Sequence, residues 1–128
     1  MEQLRLLIVD DEEDFLSALA QRLEFRGFRV EVAGSGTDAL GRVGEKGFHV
    51  LVLDVKMPGI DGLDLMAHIK AKHPCLPVIL LTGHGSVADA ERGMEQGAFD
   101  YLMKPIDIDE LIEKIRKAAG ARKVGHRE

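Results

Sequence analysis

The chain has 128 residues, enough for one buried core and too few for two, and 45% hydrophobic against 30% charged residues is an ordinary globular balance. A formal net charge of −5 argues against direct nucleic-acid binding, which needs a concentrated basic surface. No apolar stretch approaches the roughly 18 residues of a membrane span, the opening MEQLRLLIVDDEEDF turns acidic where a secretory signal needs a basic flank, and the single Cys75 excludes an internal disulfide, so a one-domain cytoplasmic protein that does not enter a membrane is expected.

The first apolar run, about Leu4 to Val9, reads as a strand and ends on Asp10 and Asp11. Phe15, Leu16, Leu19 and Leu23 follow at helical spacing, and Gly27 is placed to stop that helix. Arg29 to Val32 makes a short second strand. Ser35 with Asp38 resembles a capping pair that opens a helix through Val43, and Gly41 and Gly44 each cost that helix about 1 kcal/mol relative to alanine, which makes it the loosest of the set.

Val50 to Leu53 is the third strand and runs into Asp54. Leu63, Leu65, Met66 and Ile69 mark the next helix, which Pro74 prevents from continuing. Val78 to Leu81 is the fourth strand and closes on Thr82. Ser86 with Asp89 opens a helix that Gly97 ends, Phe99 to Met103 forms the fifth strand before Lys104, and Asp107 with Glu110 caps a final helix carrying Ile108, Leu111, Ile112 and Ile115. The stretch Ala121 to Glu128 leans basic through Arg122, Lys123 and Arg127, so residues 1–120 read as the domain and 121–128 as a tail or the start of a linker.

Alternating strands and helices with right-handed crossovers give an α/β fold: one doubly wound, five-stranded parallel sheet with helices on both faces, in the flavodoxin-like order 2-1-3-4-5. Open sheets of this kind carry their chemistry at the carboxyl ends of the strands. Asp10, Asp11, Asp54, Thr82 and Lys104 all fall there. Two carboxylates about 5 Å apart repel by about 3 kcal/mol at an effective dielectric near 20, so three together call for a cation, and hard oxygen ligands suit Mg²⁺ shared with a phosphate.

Each residue also has a plainer reading. Asp10 and Asp11 alone would be helix-capping acids, Thr82 a hydroxyl leading into a helix, Lys104 a surface lysine, and Tyr101 simple packing. Asp54 could open a turn with Pro58 and Gly59, but such a turn needs no carboxylate after a wholly apolar strand. Cys75 reads as a loop or strand-edge residue. His49, His68, His73 and His84 are scattered and form no metal set, and His126 lies in the tail.

From about Leu4 to Ala119 the chain resembles a response-regulator receiver domain of two-component signalling, on IVDDEED, LVLDVKMPGIDG, LLTGHGS and YLMKPID in that order. The resemblance implies that Asp54 is the phosphoacceptor for a histidine kinase. It implies that Asp11, Asp54 and the backbone carbonyl of Lys56 bind Mg²⁺ directly, with Asp10 acting through a bound water. Lys104 would pair with Asp54 and then with a phosphoryl oxygen, next to a cis bond before Pro105. Thr82 and Tyr101 would form the switch that alters helix 4, strand 5 and helix 5, about Ser86 to Ala119, to control a homodimer or a downstream output domain. Lys56, Gly83 and His84 would tune water access to the acyl phosphate, Met57 and Pro58 match the family loop, and Gly62 would lend that loop backbone freedom. The stretch TGHGSVADAERGMEQGAFDYLMKPI looks like receivers that precede transcriptional-activator domains, including those working with the alternative sigma factor.

Three other functions compete. A haloacid-dehalogenase-type phosphatase expects an aspartate where Lys56 stands, and the turns at Gly36 and Gly83 lack a nucleotide-binding fingerprint. The runner-up is a degenerate receiver acting as a phosphorylation-independent interaction module, against which the intact residue set argues.

Overall fold

A computed structural model describes residues 3–45, 47–83 and 87–125, with side chains as far as residue 121. Strands and helices alternate throughout: β1 (Arg5–Val9), α1 (Glu13–Phe25), β2 (Arg29–Ala33), α2 (Gly36–Glu45), β3 (Val50–Asp54), α3 (Gly62–Lys72), β4 (Val78–Thr82), α4 (Val87–Glu95), β5 (Asp100–Met103) and α5 (Ile108–Gly125). The five strands are parallel and lie in the order β2-β1-β3-β4-β5. This is the flavodoxin-like order that the alternation predicts.

Every residue of β3 and β4 is buried, as expected for central strands covered on both faces. Successive side chains point to opposite faces and divide the core in two. Leu7, Val9, Leu51, Leu53 and Leu80 join α2 and α3, whereas Leu6, Ile8, Val52, Ile79 and Leu81 join α1 and α5. α4 lies against the first face so closely that a Cβ on Gly93 would come 2.1 Å from Leu80 Cδ1.

Local chemistry sets the helix ends. Ser35 Oγ accepts from the Asp38 N–H at 3.1 Å, and Asp107 Oδ1 accepts from the N–H groups of Asp109 and Glu110 at 2.9 and 3.2 Å. Asp61 caps α3 by accepting from Leu63 N–H at 2.9 Å, a cap not anticipated from the sequence. Gly27 and Gly97 end α1 and α4 at φ of +98° and +110°. The expected Ser86 cap and His84 lie outside the described residues, as does His126.

Two helices exceed their predicted ends. α2 runs through both internal glycines to Glu45, and α5 continues to Gly125, so the boundary drawn at residue 120 falls within a helix. Tertiary packing of Ala39 and Val43 offsets the weak propensity of α2.

Candidate functional site

Strand register assembles the site. Val9 pairs with Leu53, so the next residues, Asp10 and Asp54, emerge side by side; Thr82 pairs with Met103, so Lys104 emerges beside them. The Lys104 N–H continues the ladder onto the Thr82 carbonyl at 2.9 Å. Asp10, Asp11 and Asp54 each offer a carboxylate oxygen, and these atoms lie within 4.8 Å of one another.

Asp10 is wholly buried. One oxygen accepts from the Glu12 N–H at 2.9 Å and the other from the Lys104 ammonium at 2.9 Å. Asp54 is 6% exposed, while Asp11 faces solvent. Lys104 Nζ also lies 3.3 Å from Glu12 Oε1, 3.9 Å from Asp54 Oδ1 and 4.4 Å from the centre of the Phe15 ring. The expected Lys104–Asp54 pair is therefore present as an ion pair beyond hydrogen-bonding distance, and the closer partner is Asp10.

These positions shift proton affinity. Burial pushes the Asp54 carboxyl up to about 6, the Asp10 and Asp11 charges push the same way, and Lys104 with the Lys56 backbone N–H only partly offset them. Burial pulls Lys104 down, but its hydrogen bond to Asp10, the charges of Asp54 and Asp10, and its hydrogen bond to Glu12 outweigh that and hold it above the ordinary lysine range. The donor set, hard carboxylate oxygens crowded enough to repel, fits a magnesium ion.

Thr82 is wholly buried, and its hydroxyl donates a long 3.5 Å bond to the Leu102 carbonyl on β5. Tyr101 stands on β5, half-buried against the α2–α3 side of the core. Lys56 extends away from the carboxylates, its ammonium 3.7 Å from Asp89 of α4, which also pairs with Arg92. Lys104–Pro105 is cis, as the resemblance implies.

Gly62 has a different role from the expected one. The positive φ in this loop, +92°, belongs to Gly59, whereas a Cβ on Gly62 would lie 2.4 Å from the Asp54 carbonyl and 2.5 Å from that of Val55. Its N–H donates to the Val55 carbonyl at 2.7 Å, so close approach and not backbone freedom demands glycine. Glu12, Phe15 and Asp89 were not read from the sequence as site residues. Their signals were present but ambiguous: Glu12 belongs to an acidic helix start, and Phe15 has core spacing.

The chain belongs to the response regulator receiver domain family, whose description matches residues 6–116. It is 38% identical over 126 residues to a putative NtrX-like response regulator of Rickettsia felis, covering 97% of this chain and 26% of that protein. It is 39% identical over 118 residues to the transcriptional regulatory protein YkoG of Bacillus subtilis, covering 92% of this chain and 52% of that protein. The chain thus spans about a quarter to a half of these curated relatives. Among solved structures, a receiver domain protein from Clostridium thermocellum superposes with a TM-score of 0.91 at 36% identity, covering 94% of this chain and 98% of that one. NtrX from Brucella abortus gives a TM-score of 0.92 at 32% identity, covering 97% of this chain and 29% of that one. The class is that of signalling switches in two-component systems, with transcriptional regulators among its relatives. No helix among the described residues is long and apolar enough to cross a membrane.

Proposed function

We propose that this chain is a cytoplasmic phosphoacceptor switch in which Asp54 takes a phosphoryl group from the phosphohistidine of a partner histidine kinase. The observation that carries the reading is Asp54 itself, a carboxylate ending a wholly buried strand beside Asp10, Asp11 and Lys104. An Asp54 oxygen forms the new P–O bond while the P–N bond to the kinase imidazole breaks, and the imidazole leaves with the bonding pair and takes up a proton.

Asp11, Asp54 and the backbone carbonyl of Lys56 would hold Mg²⁺, with Asp10 acting through a water. Bound there, the ion would neutralise charge on the transferring phosphoryl oxygens. Lys104 moves from Asp10 towards a phosphoryl oxygen. Thr82 turns its hydroxyl from the Leu102 carbonyl to the new phosphoryl group, and Tyr101 follows into the space vacated, altering the α4–β5–α5 face. That face would control a homodimer or a downstream output domain, with transcription as the output suggested by the relatives. The same site assists hydrolysis of the acyl phosphate, which resets the switch.

Acetyl phosphate with Mg²⁺ tests the reading on the wild-type chain and on Asp54→Asn. A gain of one phosphoryl group by intact mass, in the wild type alone and lost with chelator, is expected. An unlabelled wild type with a normal fold would favour a phosphorylation-independent interaction module.

A further inference from the structure

Glu12 occupies the N-cap position of α1, yet its side chain makes no capping hydrogen bond. Its carboxylate points instead at Lys104 Nζ, 3.3 Å away. The Lys104 ammonium thereby lies between Asp10 at 2.9 Å and Glu12, over the Phe15 ring at 4.4 Å, and 3.9 Å from Asp54. Two of its three N–H donors are engaged by the acids on the β1–α1 side, and Asp54 lies beyond hydrogen-bonding distance.

We infer that Glu12 is a positioning residue: with Asp10 and Phe15 it tethers Lys104 on the β1–α1 side of the site, and phosphoryl acceptance requires the ammonium to leave that tether. The inference rests on the proposed phosphoacceptor reading for its kinetic consequence, but the tether itself is a property of the resting protein. Asp10 is buried and cannot release its charge to solvent, whereas the Glu12 side chain is 65% exposed. Glu12 is therefore the adjustable arm, held against water strongly enough to bias Lys104 and weakly enough to let go.

Removing the Glu12 charge should free Lys104 without costing α1 a cap. The expected effect of Glu12→Gln is phosphorylation by acetyl phosphate that is about two- to fivefold faster, the scale of an exposed ion pair. A less acidic rim would also attract an anionic donor, so the decisive comparison is made in a Lys104→Met background. A tether acting through Lys104 predicts that the Glu12→Gln gain vanishes there; a general charge effect predicts that it persists and overturns the inference.

A second readout needs neither metal nor phosphoryl donor. In chelator, the Lys104 ammonium of the wild type should give a slowly exchanging ¹H–¹⁵N resonance, and Glu12→Gln should accelerate that exchange while leaving backbone resonances outside the β1–α1 turn in place. An unchanged Lys104 signal refutes the tether, whatever the kinetics. A changed Lys104 signal with no phosphorylation of wild type or variant upholds the tether and refutes the phosphoacceptor reading.

Discussion

Asp10 and Lys104, 94 positions apart in sequence, meet at 2.9 Å, and Asp10 is wholly buried. Lys104 is thus the cation that makes a buried carboxylate tolerable before any ion binds. Lys104→Met should leave Asp10 without that partner and destabilise the metal-free protein by about 1 to 3 kcal/mol, less than a fully buried pair because solvent reaches the lysine. Urea unfolding in chelator measures this. Mg²⁺ at about a hundredfold its Kd should return about 2.7 kcal/mol to the wild type. A Lys104→Met protein as stable as wild type in chelator would show that Asp10 is satisfied otherwise.

The Asp54 carboxyl is held up to about 6, first by burial and then by its acidic neighbours. Its folded value lies above that of the unfolded chain, so the folded state binds the proton more tightly. The stabilisation linked to that proton is complete below about pH 4 and is lost as pH rises through about 6. Asp54→Asn removes this dependence. Thermal unfolding from pH 4 to 7.5 in chelator should show the variant gaining on wild type as pH rises, and a ¹³C titration of the carboxyl should report the same midpoint. A constant difference between the two proteins across that range would contradict the assignment.

A methyl group at position 62 would collide with the backbone carbonyls of Asp54 and Val55, which cannot move without displacing Asp54. Gly62→Ala should cost about 2 to 4 kcal/mol and slow phosphorylation as well. Leu53→Ala, in the wholly buried strand just before Asp54, should cost a comparable 2 to about 5 kcal/mol through its cavity. Melts and phosphorylation rates of the two variants, compared at a temperature where both remain folded, separate loop distortion from loss of core. Gly62→Ala should be the slower of the two.

These strands were legible because β1 after Arg5, β3 and β4 carry unbroken apolar runs that end on polar residues, a pattern that gives both the buried sheet and the edge bearing the candidate site. The helix starts at Ser35 and Asp107 were legible because caps are local chemistry. What the sequence concealed depends on distance in three dimensions. Asp10 and Asp54 both compete for Lys104, and only the folded geometry ranks them. Glycine looks the same in sequence whether it supplies a positive φ, as Gly59 does, or space, as Gly62 does. Phe15 fits a helical apolar stripe, and nothing in that spacing reveals that its ring also faces an ammonium.

The central claim is that one particular carboxylate becomes an acyl phosphate, and chemical mapping tests it most directly. Borohydride reduces an aspartyl phosphate to homoserine, which peptide mass spectrometry locates by residue. After treatment with acetyl phosphate and Mg²⁺, conversion is expected at Asp54, with Asp10 and Asp11 untouched and the signal abolished by chelator. Conversion at Asp10 or Asp11 instead, or at no aspartate while phosphate remains on the chain, would contradict it.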